Sequence, residues 1–246
     1  MRPVEKLHPK DTVTYRNSND DEVSHTIQAE YSPYGTAKFP LMANIGNYCS
    51  YCEAPLRPSD AEVEHVHPKS QGGSPTAWDN LLLGCRECNS LKGTTVPGQD
   101  YHFPDINNTY MDFVYDRTGR VKVNLNIPQS SQAAAENLLD LVKLKRFPHV
   151  NPPSDCDFRW QHRVEVWNTA KIFLDKYNRG HSNEDEVIRL AKISGYWSIW
   201  FTVFQGKDAV LARLISDFPG TCTACFDAGN HYRPICRNAA DPADPV

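Results

Sequence analysis

The chain has 246 residues, 40% hydrophobic and 11% aromatic, enough for one large domain or a small domain with a second layer and a real core. Its formal net charge of −4, from 26 Lys and Arg against 30 Asp and Glu, is not that of a freestanding nucleic-acid binder. No stretch approaches the ~20 apolar residues of a membrane span, and Met1 to Lys10 lacks the apolar centre of a signal peptide. A cytoplasmic location with no membrane partner is therefore expected, with the eight cysteines reduced or metal-bound.

Residues 1–45 read as polar and irregular, because Pro3, Pro9, Pro33 and Pro40 interrupt any long helix. The alternation from Glu62 to His67 predicts a strand that stops at Pro68, followed by a loop over 71–75. Leu81–Leu83 predicts a buried strand ended by Gly84, and residues 86–92 a brief helix stopped by Gly93. Strands at 113–115 and 121–123 are joined by a turn at Asp116-Arg117-Thr118-Gly119.

The remainder reads as helical. Ser131 is placed as the cap of a helix over about 132–146, with Leu138, Leu141, Val142 and Lys145 on one stripe. A helix over about 158–178 carries Trp160, Val164, Trp167, Phe173, Leu174 and Tyr177 on its apolar face. Ser182-Asn183-Glu184-Asp185 starts a further helical run reaching Phe204, and a short helix spans about 208–216. These aromatic stripes read as core and not as a base-stacking platform, and the tail from Asn238 to Val246 as frayed. The organisation is an irregular segment (1–45), a chemistry-bearing core with its hairpin (46–127) and a mainly helical C-terminal region (128–246).

Cys49-Ser50-Tyr51-Cys52 and Cys85-Arg86-Glu87-Cys88 are two C-x2-C pairs, separated by 32 residues. Each tight turn puts two sulfurs on one side, and four thiolates make a closed tetrahedral Zn²⁺ site. Such a zinc has no open position, so it holds the fold and does not activate water. A second group, Cys222, Cys225, His231 and Cys236, has irregular spacing, with Cys156 an equal distant participant. Buried or free thiols compete with a second metal site there.

Between the cysteine pairs stand Glu64-His65-Val66-His67-Pro68-Lys69, Asp79-Asn80-Leu81 and Cys88-Asn89-Ser90-Leu91-Lys92-Gly93. This stretch, from Cys49 to Gly93, resembles the HNH or ββα-metal nuclease motif in its zinc-stapled, treble-clef-type form. The resemblance implies an α+β fold: a zinc-stapled ββα-metal core, here with a mainly helical C-terminal layer. Phosphodiester hydrolysis needs a nucleophilic water, a base and a cation to neutralise developing charge. By resemblance His65 is the base, Glu64 and Asn89 hold a catalytic Mg²⁺ or Mn²⁺, and Asn80 ties the loop that orients the base. Two protein oxygens plus waters suit such a hard cation. His67 alternates onto the face of His65 and has an accessory or structural role, and Lys69, Arg86 and Lys92 are candidates for phosphate contact.

The opening Met1-Arg2-Pro3-Val4, the form Glu64-His65-Val66-His67-Pro68-Lys69-Ser70 and the helical C-terminal half resemble the HNH subunits, PtuB, of Septu and retron-associated anti-phage systems. That resemblance implies a PtuA-like ATPase partner, docked on about 128–217, in company with a retron reverse transcriptase and its DNA in the retron-linked systems. Residues 1–100 carry 9 Lys and Arg against 13 Asp and Glu, so the motif-bearing part is acidic and suits control by a partner. DNA is the first expected substrate and RNA, including tRNA, the alternative. A non-catalytic zinc module binding nucleic acid or protein accounts for the cysteines but not for Glu64, His65, Asn80 and Asn89 at nuclease spacing.

Overall fold

The computed structural model describes residues 1–98 and 100–237. It is a mixed α/β structure of four two-stranded sheets and several helices, sharing one apolar core that runs from Met1 to Phe226.

The N-terminal segment corrects the expectation of irregular chain. Thr12–Arg16 (β1) pairs antiparallel with Glu22–Thr26 (β2). The turn between them is held by the Asn17 side chain, whose Oδ1 accepts the amides of Asn19 (2.9 Å) and Asp21 (3.0 Å). Val13 is the one buried residue of the pair, so hydrophobic alternation gave no signal. Lys38–Ile45 (α1) follows, and Pro40 lies in its first turn, where a missing amide hydrogen costs no intrahelical bond.

Ala61–His65 (β3) pairs antiparallel with Leu81–Cys85 (β4), in the register Ala61↔Cys85 to His65↔Leu81. Leu81, Leu82 and Leu83 are fully buried, each contributing on the order of 1.5–3 kcal/mol of burial. Arg86–Lys92 (α2) packs across this hairpin, capped at its start by the Cys85 sulfur, which accepts the Cys88 amide at 3.4 Å. Strand, strand and helix thus form the predicted ββα unit.

Thr109–Asp112 (α3) leads into Phe113–Tyr115 (β5) and Val121–Val123 (β6), the hairpin read from sequence. Gln129–Leu141 (α4) starts three residues early, with Pro128 at its cap. Ser131 is not the cap; it is buried within the first turn. The helix also ends early, since Lys143 is left-handed (φ 52°) and the carbonyls of Val142 and Lys143 are taken by Arg159.

In Arg159–Asn178 (α5) the buried stripe is Arg159, Arg163, Val166 and Ala170. The expected face of Trp160, Val164, Trp167, Phe173, Leu174 and Tyr177 is only half-buried and flanks it. Two arginines lead the stripe because it faces the cysteine cluster and the carbonyls beside it, which a purely apolar face would leave without donors.

The expected run to Phe204 is broken. Asn183 caps Glu184–Ser194 (α6) by accepting the Glu186 amide at 3.0 Å, and Trp197–Val203 (α7) begins after a left-handed pair, Gly195 (φ 69°) and Tyr196 (φ 53°). A Cβ on Gly195 would lie 2.6 Å from the Glu53 carbonyl, so the backbone passes too close for any side chain. Trp197, Trp200, Phe201 and Phe204 are all buried, as core aromatics. Asp208–Asp217 (α8) and a short hairpin, Phe226–Asp227 (β7) with Arg233–Pro234 (β8), are the last elements among the described residues. The tail expected to fray, Asn238 to Val246, lies outside the described residues. Among the described residues no helix is long and apolar enough to cross a membrane.

Candidate active site and cysteine cluster

Cys49, Cys52, Cys85 and Cys88 place their sulfurs within 4.8 Å of one another, the only group of three or more potential metal ligands among the described residues. Cys52 Sγ and Cys85 Sγ are 3.7 Å apart. A tetrahedral ion with Zn–S bonds of ~2.3 Å needs sulfurs spaced by roughly 3.8 Å, so the group fits zinc. Amides of Cys52 and Cys88 point at the first sulfur of each pair, 3.5 and 3.4 Å away, and stabilise negative charge there. Burial opposes ionisation of Cys49, but hydrogen bonds from Cys52, Cys85 and Cys88 outweigh it and hold that thiol well below the ordinary value.

The helical layer reaches into this cluster. Arg159 Nη1 lies 3.2 Å from Cys88 Sγ, while Nε and Nη2 grip both oxygens of Asp157 at 2.8 Å. Burial disfavours the guanidinium charge, but Asp157 and the cluster sulfurs outweigh that and raise its pKa. On the other side, Glu53 follows the first knuckle and is buried. Its Oε1 accepts the Arg2 amide (2.6 Å) and the Ser198 hydroxyl (2.7 Å).

The second cysteine group does not assemble as a metal site among the described residues. His231 is turned to Asp208, with Nδ1 2.6 Å from Oδ2, in the solvent, and Cys156 is exposed. Cys222 and Cys225 are instead buried in the apolar core.

A cavity of ~220 Å³ is lined by Tyr34, Glu64, His65, Lys69, Asn89 and Lys92, among others. Alternation along β3 puts Glu62 and Glu64 on the face toward α2, with Val63 and His65 on the other. A methyl on Gly84 would stand 3.4 Å from Glu64 Cβ and 3.7 Å from Asn89 Cβ, so both side chains converge over that glycine. Asn89 donates Nδ2 to Glu62 Oε2 at 2.5 Å, which leaves its carbonyl oxygen as the end able to hold a cation. With the Glu64 carboxylate this makes an all-oxygen donor set, which fits a hard divalent cation.

Glu64 is 2% exposed, and its Oε1 receives Lys92 Nζ at 2.8 Å and the Tyr51 hydroxyl at 3.4 Å. Burial pushes its carboxyl pKa up, and Lys92 and Tyr51 pull it back. Lys92 therefore departs from the expected phosphate contact: it is buried, and its ammonium also bonds the His65 carbonyl at 2.8 Å. Arg86 is exposed at the start of α2 and is not among the residues lining the cavity.

His65 Nε2 lies 3.0 Å from the Pro75 carbonyl, which can only accept, so Nε2 carries the hydrogen and Nδ1 keeps its lone pair. Burial lowers the imidazole pKa; the Pro75 bond opposes this, and Lys69 and Lys92 add to it. A neutral ring with a free Nδ1 is the form a general base requires.

Asn80 acts on the backbone. Its Oδ1 accepts the His67 amide (2.8 Å) and its Nδ2 donates to the carbonyls of His67 (2.9 Å) and Ser74 (2.7 Å), closing the loop that carries Pro75. β3 ends at His65, and His67, which is not among the residues lining the cavity, meets the Gln71 carbonyl through Nε2 at 3.1 Å. Glu62, Tyr34, Tyr51 and Arg159 are site residues that the sequence reading missed. Only Glu62 had a signal, two positions before Glu64 on the same strand face.

Another groove, ~440 Å³ between β1, α1 and Lys192, has no histidine or cysteine among its lining residues. Comparison with known proteins agrees with the smaller cavity. Residues 49–95 match the family model of HNH endonucleases. Over 47 residues the chain is 38% identical to the CRISPR-associated endonuclease Cas9 of Corynebacterium diphtheriae, a stretch that is 19% of this chain and 4% of that protein. The chain thus spans a small fraction of the length of that relative, and the likeness is one of domain. It carries an HNH endonuclease domain, of the metal-dependent kind that cuts nucleic acid, and with it a cysteine cluster compatible with zinc.

Proposed function

We propose that this chain is a metal-dependent endonuclease cutting DNA, the effector subunit of a bacterial anti-phage complex of the PtuB kind, working in the cytoplasm with a PtuA-like ATPase. The observation that carries the catalytic reading is His65, held by Pro75 as the tautomer with Nδ1 free, in one cavity with Glu64 and Asn89. His65 takes the proton of an attacking water at Nδ1, and the Pro75 carbonyl accepts the Nε2 hydrogen throughout, stabilising the imidazolium that forms. Glu64 and Asn89 would hold a Mg²⁺ or Mn²⁺ ion, which neutralises charge on the phosphate and the leaving oxygen when bound. Lys92 fixes the Glu64 carboxylate, and Lys69 offers a positive charge to the substrate backbone. The four cysteines would hold a structural zinc.

The defence assignment is supported by the opening Met1-Arg2-Pro3-Val4, by the helical C-terminal half and by the acidic balance of residues 1–100. A nuclease of net charge −4 gains little from its own field and depends on a partner to reach its substrate. The test offers plasmid DNA and total tRNA in parallel, with Mg²⁺, with and without the ATPase and with the reverse transcriptase and its DNA. Plasmid cleavage that rises with the ATPase is expected. Cleavage of tRNA alone would replace DNA by RNA, and full activity of the monomeric chain without any partner would overturn the complex.

A further inference from the structure

Tyr34 belongs to no part of the HNH match, which begins at residue 49, yet it forms a wall of the catalytic cavity. It sits on a turn of 3-10 helix, Tyr34–Ala37, that packs against β3. Its ring meets His65 edge-on, with centroids 4.8 Å apart and planes at 66°. Lys69 Nζ stands 4.4 Å above the centroid of the same ring. One aromatic side chain therefore stands against both the general base and a cavity lysine.

Each contact answers a need of the site. The Pro75 bond anchors His65 at Nε2 but leaves the imidazole free to tilt about that anchor. A ring packed in T-shaped geometry at a centroid distance of 4.8 Å restricts the tilt, which aims Nδ1. Lys69 is exposed, and among the described residues it has no carboxylate partner, whereas Lys92 is spent on Glu64 and the His65 carbonyl. Lys69 is thus the cavity lysine left for a phosphate, and a long flexible side chain held over a ring loses less entropy when a phosphate arrives.

Building on the nuclease reading above, we propose that Tyr34 is a positioning residue: its ring braces His65 for proton transfer and seats Lys69 as the phosphate-binding cation of the nucleic-acid backbone.

The test compares wild type with Tyr34→Leu, Tyr34→Phe, Lys69→Gln and the double variant Tyr34→Leu/Lys69→Gln on one oligonucleotide substrate, with His65→Ala as blank and bound zinc as the check of folding. Tyr34→Leu should lower kcat ~10-fold or more and raise KM, because small displacements of a base are costly. Tyr34→Phe keeps the ring and should hold kcat within ~3-fold of wild type. Lys69→Gln should raise KM alone, and should add little to KM in the Tyr34→Leu background, since both act through one seat. Equal loss in Tyr34→Phe and Tyr34→Leu, a wild-type kcat in Tyr34→Leu, or additive effects on KM would each overturn the proposal. A second measurement needs no turnover: the His65 ring-proton NMR shift should move in Tyr34→Leu and stay in Tyr34→Phe, and an unmoved shift in Tyr34→Leu overturns the bracing. Wild type no more active than His65→Ala would instead refute the nuclease reading itself.

Discussion

Asn89 donates its side-chain amide to Glu62 at 2.5 Å, and that bond decides which end of the amide faces the cavity. An amide presents either a donor or an acceptor, and only the carbonyl end can hold a cation. Glu62, opposite Gly84 in the hairpin, makes the choice.

Glu62→Ala should therefore weaken divalent-ion binding by ~10–100-fold, the usual cost of losing a partner behind a ligand. Glu62→Gln keeps a carbonyl acceptor and should recover part of it. Calorimetric titration with Mn²⁺ checks both, and an unchanged affinity in Glu62→Ala would refute the role.

Metal content separates the two cysteine groups. One zinc per chain is expected, with Cys52→Ser releasing it and unfolding the core around Leu81–Leu83, because a structural zinc contributes folding energy directly. Cys225→Ser should leave the zinc count at one. Two equivalents in the purified protein would contradict the placement of His231 on Asp208.

Arg159→Leu removes a buried guanidinium and leaves Asp157, which is 3% exposed, with only the more distant Arg146 at 3.6 Å. A loss of ~3–5 kcal/mol is expected, as for other buried pairs deprived of one partner. Arg159→Lys should not restore it, since a lysine cannot grip both Asp157 oxygens while reaching Cys88. Thermal melts with zinc in excess measure this, and a melting temperature near wild type would count against it.

These elements show how far the sequence is legible. The ββα unit and its cysteine cluster were readable because the chemistry fixes residue types at short spacing: Cys49 to Cys52 and Cys85 to Cys88. The helix over 159–178 was readable in extent but not in facing, because two arginines occupy its buried stripe. Their partners, a cysteine sulfur and the carbonyls of Val142 and Gly119, come from distant parts of the chain and leave no local pattern. The same holds for Tyr34, and for the break at Gly195, which is set by the Glu53 carbonyl. Asn80 was legible in position, and its side chain bonds the His67 amide and the Ser74 carbonyl across the loop.

His65 has its pKa lowered in the fold, chiefly by burial, from an unfolded value of ~6.5. Below that value the unfolded chain binds the proton before the folded one does, so this group's share of stability is full above ~6.5 and is lost as pH falls through the folded pKa. The base form persists for the same reason, and the acid limb of kcat/KM should lie below ~6.5. An acid limb above that value would contradict the buried, neutral imidazole.

The measurement closest to the central claim is phosphodiester cleavage with Mg²⁺ by the wild-type chain beside His65→Ala, both carrying their zinc. The site described here predicts metal-dependent cutting that disappears in the variant while its fold and zinc content stay unchanged. Equal cleavage by the two proteins, or none by either under every partner condition, would contradict it and leave a zinc-scaffolded binding module in its place.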